Sequence, residues 1–290
     1  MDDPARGRTL TGTPGPLTSL GPVDPLIPDG LDATLVLVRH GESTLIAEGR
    51  FQGQADSPLT AIGRRQAALV AARLAAPYAP PALSIPTGAP IELVHSPLGR
   101  TTETAEAIGA ALAAAGTPTP HRADPGFLEM DQGAWEGLHR TEIAERYGAE
   151  LAAWRRTPLV AWAPGGESLP EVAARVRPAL VATLAPLATG RIRGTHDRAQ
   201  VAGYRDPLPD HPWSIVVGHD GVFKIVLLTL FDLPLDRFWM WSMDLCGITI
   251  VEIRAGRAVL RAHDLTAHLV GLDDGVTHEP ADDRDRGGAL

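Results

Sequence analysis

The sequence predicts a three-layer α/β/α fold with a mostly parallel central sheet. Three observations carry that expectation. Short, continuous apolar runs alternate with helical patterns along much of the chain, the signature of strands joined by crossover helices. The runs are apolar throughout rather than alternating, as in strands buried on both faces. The chain of 290 residues, 44% hydrophobic and 21% charged, has the composition of a globular protein large enough for one sizeable core or two small ones, with one domain the economical reading.

The first strand is TLVLV at 34–38, followed by a helix over SPLTAIGRRQAALVAARLAA at 57–76 with Thr60 as its N-cap. IELVHS at 91–96 gives a second strand, and PLGRTTETAEAIGAALAAA a helix with Ser96 as cap and Pro97 in its first position. SIVVGHDG at 214–221 is the third strand and runs into the apolar helix VFKIVLLTLF. GITIVEIRAGRAVLRAHD, with its AGR turn, closes the sheet as a hairpin. Ser168 and Glu171 have capping-box spacing ahead of LPEVAARV, so PGGES begins a helix.

Residues 1–30 hold six prolines and five glycines and are expected to form an extended or disordered leader. Residues 271–290 read as an acidic solvated tail, leaving one domain at 31–270. Stretches 78–90 and 191–213 read as loops. A net charge of −9 argues against a nucleic-acid surface. The single cysteine, Cys246, excludes an internal disulfide and any multi-thiolate metal site, and its apolar context marks a core position. His95, His121 and His139 lack metal-ligand spacing. No apolar run approaches the ~20 residues of a membrane span, and MDDPARGRTL has no signal-peptide character, so a cytoplasmic location is expected. The cluster FDLPLDRFWMWSM suits a homodimer contact as well as a core.

In parallel sheets ligands bind beyond the carboxyl ends of the strands. Strand one ends in Arg39 and His40, strand two enters a helix carrying Arg100, and strand three ends in His219. All four groups therefore fall along one edge. In an acidic protein, a bound anion accounts for that concentration, aided by helix N-termini at Pro97 and after Gly221. Gly41 and Gly221 let the backbone approach a ligand. A phosphoryl group fits best: two arginines donate in bidentate fashion, one histidine serves the remaining oxygen, and the other is left as a nucleophile. Beside Glu129, the nearby Asp131 and Glu136 are equally placed to cap a turn or pair with an arginine.

LVRHGES, GRFQGQADSPLTAIGRRQA, HSPLGRTTETA, FLEMDQGAWEG, PGGES and VVGHDG follow one another in an order that resembles the histidine phosphatase superfamily, the phosphoglycerate mutase-like fold. The resemblance runs from about Thr34 to Leu269. It implies a helical cap insertion at about 130–212, phosphorylation of His40, and a phosphoryl clamp of Arg39, Arg100 and His219. It also selects Glu129 as proton donor and puts Gln52 and Gly53 in the phosphate and substrate pocket. Glu167 and Ser168 receive a secondary pocket-lining role, and Asp220 stands beside the pocket where small residues are common. Trp135, Trp154 and Trp162 are expected to pack within the cap. Ile46 departs from the family's usual asparagine, which removes a neutral hydrogen bond to phosphate of about 1 kcal/mol. The implied activity is a phosphomonoesterase on small phosphorylated metabolites, with no metal or other cofactor. FQGQADSPLT and PGGES favour the phosphatase branch over a phosphoglycerate mutase. A non-catalytic phospholigand-binding module is the third reading, which a trapped phosphohistidine would eliminate.

Overall fold

In a computed structural model describing residues 25–190 and 210–272, the run ATLVLVR forms strand β1 (Ala33–Arg39), buried along its whole length. Leu35 and Leu37 enter one apolar cluster, and Val36 and Val38 another, as the two-residue period of a strand demands. β1 thus supplies both cores of a layered structure. It is followed by α1 (Thr44–Ala47), α2 (Ala61–Ala75), β2 (Leu93–His95), α3 (Gly99–Ala114) and β3 (His121–Ala123). Then come α4 (Arg140–Arg146), α5 (Gly148–Arg156), α6 (Leu169–Thr189), β4 (Trp213–Gly218) and α7 (Asp220–Leu230), before β5 (Ile248–Arg254) and β6 (Arg257–Leu265).

The sheet runs β3-β2-β4-β1-β5-β6. β1, β4, β2 and β3 are parallel to one another, and β5 and β6 join antiparallel at the β1 edge. Helices α2 and α3 cover the face that carries Val36 and Val38, and α6 and α7 cover the other. The mostly parallel three-layer sheet is as the sequence predicts. The AGR turn is a two-residue connection in which Ala255 (φ 47°) and Gly256 (φ 77°) both take the left-handed conformation that a tight hairpin requires.

Four expectations are corrected. Helix α3 starts at Gly99 with Leu98 as N-cap, and Ser96 makes no first-turn bond better than 3.5 Å to Leu98 N–H. Its hydroxyl instead meets His219, as described below. Helix α7 starts at Asp220, one residue before Gly221, with His219 at the N-cap position. The last residues of the expected leader are docked, because Leu26 and Ile27 pack against the core and the Pro28 carbonyl accepts from Leu31 N–H at 3.2 Å. Finally, α6 packs on α7 and β4, so this part of the expected cap region is a layer of the core. Strand β3 has no apolar run to announce it and lies at the sheet edge.

The remainder of the leader, residues 191–209 of the expected loop and the tail beyond 272 lie outside the described residues. Leu272 itself is buried. Trp135 and Trp154 are buried in edge-to-face contact at 5.8 Å, while Trp162 is half exposed. No described helix is long and apolar enough to cross a membrane.

The capping box at α6 forms in both directions: Glu171 N–H donates to the Ser168 hydroxyl, and the Glu171 carboxylate accepts from Ser168 N–H at 2.8 Å. Ser168→Ala is expected to destabilise the fold by about 1 kcal/mol, read as a lower urea midpoint at unchanged slope.

Candidate active site

His40 leaves β1 at its carboxyl end, where its N–H donates to the Gly218 carbonyl of β4 at 3.0 Å. The neighbouring Gly41 is required by a close approach. A Cβ there would lie 2.5 Å from the Gly63 carbonyl oxygen at the start of α2, so the second backbone is a helix turn. The residue type predicts a close approach to a ligand; the approach the structure shows is to Gly63. The Gly41 N–H donates to Thr104 Oγ1 at 3.2 Å, tying the loop to α3 as well.

His40 is 1% exposed. Its Nδ1–H donates to the Gly41 carbonyl at 2.7 Å, which leaves Nε2 as an unprotonated lone pair. The rings of His40 and His219 are 5.1 Å apart, centroid to centroid. Arg100, fully buried, donates through Nε to His219 Nδ1 at 3.3 Å, through Nη1 to the Ala55 carbonyl at 3.0 Å and through Nη2 to the Gly53 carbonyl at 2.7 Å. Because Arg100 can only donate, His219 Nδ1 accepts and its Nε2–H points to Ser96 Oγ at 2.9 Å. Arg39 donates through Nη1 to the Met243 carbonyl at 2.5 Å. These four groups do converge at one sheet edge.

Electrostatics follow from this crowding. Burial, then the Arg100 and Arg39 charges, hold the His40 imidazole well below its ordinary value. Burial, Arg100 and His40 do the same to His219. Burial draws the Arg100 guanidinium down to about 10, against the opposing charges of Glu129 and Asp56. At neutral pH the pair of imidazoles is therefore uncharged between two cations.

Glu129 is buried at the N-terminus of α7. Oε1 accepts from Met130 N–H at 2.8 Å and Val222 N–H at 3.0 Å, and Oε2 from Gly221 N–H at 3.2 Å. Burial raises its proton affinity, and the nearby Asp220 charge raises it further. The other two carboxylates of this stretch have structural partners. Glu136 accepts from the N–H groups of Gln54 and Gln132, and Asp131 accepts from Gly133 N–H.

Of the remaining expected residues, Gln52 is buried and accepts from Ser43 Oγ at 2.7 Å. Gly53, at φ +46°, turns its carbonyl to Arg100, and a Cβ on it would meet Glu136 Oε1. Glu167 and Ser168, to which the resemblance gives a secondary pocket-lining role, both have partners within the protein. The Glu167 carboxylate pairs with Arg175 at 2.7 Å and accepts from Asp131 N–H, and Ser168 is engaged with Glu171. Asp220 likewise turns its carboxylate to Lys224 and Met243 N–H. Ile46 is half-buried in α1.

Three contributors escaped the sequence reading. Ser96 reaches His219; Arg175 holds the carbonyls of Gly126, Leu128 and Glu129; and the Met243 backbone holds Arg39. Only Ser96 had a signal, a polar residue at a strand end inside a recognised motif.

The sequence profile of the histidine phosphatase superfamily (branch 1) matches residues 35–266. The chain belongs to this superfamily. It is 26% identical over 239 residues to phosphoserine phosphatase 1 of Hydrogenobacter thermophilus, covering 81% of this chain and 93% of that one. It is 33% identical over 220 residues to the Proteus mirabilis protein named "Probable phosphoglycerate mutase GpmB", covering 74% and 83%. A solved mycobacterial glucosyl-3-phosphoglycerate phosphatase in complex with VO3 superposes with a TM-score of 0.63 at 27% identity, covering 80% of this chain and 99% of that one. This histidine phosphatase fold accounts for the sheet order and for the meeting of His40, Arg100 and His219 at one edge.

The hydrogen bonds assign two different neutral tautomers. Side-chain ¹⁵N NMR at pH 6.5 should show His40 protonated at Nδ1 and His219 at Nε2, with both still uncharged.

Proposed function

We propose that this chain is a metal-independent phosphomonoesterase acting on small phosphorylated metabolites through a phosphohistidine at His40. One observation carries the reading: the lone pair of His40 Nε2 is freed by the Gly41 carbonyl beside two guanidinium groups, inside a site too buried to keep the imidazole charged. The phosphatase names of relatives support it, and so does the VO3 complex of the mycobacterial enzyme.

In the first step His40 Nε2 bonds to phosphorus as the bond to the leaving oxygen breaks, and Glu129 gives its proton to the departing alkoxide. Arg39 and Arg100 neutralise the charge spread over the phosphoryl oxygens, while His219 turns its Nε2–H from Ser96 to the same group. In the second step the Glu129 carboxylate takes a proton from water, the water oxygen bonds to phosphorus, and the bond to Nε2 breaks. Phosphate leaves and both residues return to their starting forms.

The mutase reading shares the first step, and the Proteus mirabilis relative favours it by name. Incubation with 3-phosphoglycerate and bisphosphoglycerate separates the two, since isomer formation marks a mutase and released phosphate a phosphatase.

Hydrolysis of p-nitrophenyl phosphate should survive EDTA, be inhibited by vanadate and vanish in His40→Ala; a metal requirement would sink the mechanism. Reaction requires His40 as free base and Glu129 as acid. With His40 depressed and Glu129 raised, the acid limb of kcat/KM lies below 6.5 and the alkaline limb above 4.5. Glu129→Gln should remove the alkaline limb and cost ~10²–10⁴-fold on alkyl phosphates. On p-nitrophenyl phosphate, whose leaving group needs no proton, kcat/KM should fall much less, while kcat still falls because the second step loses the base that activates water.

A further inference from the structure

The only lysine in the chain, Lys224, is buried one helical turn after Asp220, with its Nζ 2.6 Å from Asp220 Oδ2. The rings of Phe238 and Trp239 stand 5.3 and 5.0 Å from that ammonium. Burying such a pair is costly, and a pair of apolar residues of similar volume would serve stability as well. Something other than packing therefore accounts for it.

The second oxygen of Asp220 shows what. Oδ1 accepts from Met243 N–H at 3.2 Å, and the carbonyl of the same residue accepts from Arg39 Nη1. The segment that begins at Met243 also encloses the Arg39 backbone, since Cys246 N–H donates to the Arg39 carbonyl at 3.1 Å and Arg39 N–H to the Gly247 carbonyl at 3.3 Å. One residue on, Asp244 N–H donates to Asp264 Oδ1 at 2.8 Å. An unbroken chain of contacts thus links Lys224, Asp220, the Met243 main chain and the guanidinium of Arg39.

We infer that Asp220, held by Lys224, is a positioning residue: it fixes the Met243 main chain so that the carbonyl aims Arg39 at the phosphoryl group. The inference rests on the phosphoryl-binding role proposed above for Arg39. It differs from the pocket-lining role that residue 220 was expected to play, because both carboxylate oxygens are engaged inside the protein. A misaimed clamp weakens the bound anion without touching the nucleophile.

Removing either charge alone leaves its partner buried and unpaired, so the test uses double variants. Asp220→Asn with Lys224→Met keeps an oxygen for Met243 N–H and no charge; Asp220→Leu with Lys224→Met keeps the volume and offers no acceptor. Both are checked for folding by circular dichroism, then titrated with inorganic phosphate and vanadate as inhibitors of p-nitrophenyl phosphate hydrolysis. The Leu double variant should bind both anions about tenfold more weakly, as for losing one aligned bond to a charged group. The Asn double variant should stay within about threefold of the wild type. If the Leu variant does not fold, Asp220→Ala with Lys224→Met takes its place with the same expectation. Wild-type inhibition constants in the variant lacking an acceptor, or equal losses in both double variants, overturn the inference. A wild-type protein that hydrolyses nothing and binds neither anion overturns the reading of the site itself.

Discussion

The site depends on one buried guanidinium. A cation withdrawn from water survives only where fixed dipoles replace its hydration, and Arg100 has the carbonyls of Gly53 and Ala55 and the Nδ1 lone pair of His219. That need shapes the surrounding chain. The loop carrying FQGQAD must fold two carbonyls inward, which brings Gly53 to φ +46° and its neighbour's N–H to Glu136. The proposed phosphate recognition and the local backbone shape trace to the same requirement.

From that cation the protonation states follow. Two guanidinium groups near two imidazoles in a dry site make further positive charge expensive, and both histidines stay neutral. Neutral imidazole has one donor and one lone pair, so the backbone decides which nitrogen is which. For His40 the Gly41 carbonyl takes the proton on Nδ1 and leaves Nε2 available; for His219 the Arg100 donor claims Nδ1 and leaves the proton on Nε2. The nucleophile and the hydrogen-bond donor of the proposed mechanism are set apart by their second partners, and neither assignment needs a change of charge.

Legibility in the sequence followed physical range. Apolar runs and strand-end cations are local patterns that survive translation into structure, so TLVLV, IELVHS and SIVVG were readable as strands and Arg39, His40, Arg100 and His219 as one edge. Contacts made through the main chain left no such mark. Nothing in residue type announces that the Met243 carbonyl would hold Arg39, or that Arg175 would gather three carbonyls below Glu129. One capping-type residue misled for the same reason, while Thr60 and Ser168 cap their helices as expected. Ser96 fits a helix cap by propensity, but the unpaired Nε2–H of a buried histidine was the stronger claim on its hydroxyl. Glu167 was legible as polar and near the motifs, and its pairing with Arg175 was not.

The environment of Glu129 carries opposing influences. Two N–H groups in the first turn of α7 and that of Met130 stabilise its carboxylate, while burial and the Asp220 charge stabilise its acid. In a site that had only to bind an anion, a buried carboxylate with raised proton affinity would be a defect. In the proposed cycle the same group must be an acid when the alcohol departs and a base when water arrives, so neither form can be overwhelmingly favoured. Donors that lower the cost of the charged form, set against burial that raises it, keep both forms within reach of one active site. The carboxyl-end edge of a parallel sheet supplies both at once: a helix N-terminus for the donors, and the packed layers of the fold for the burial.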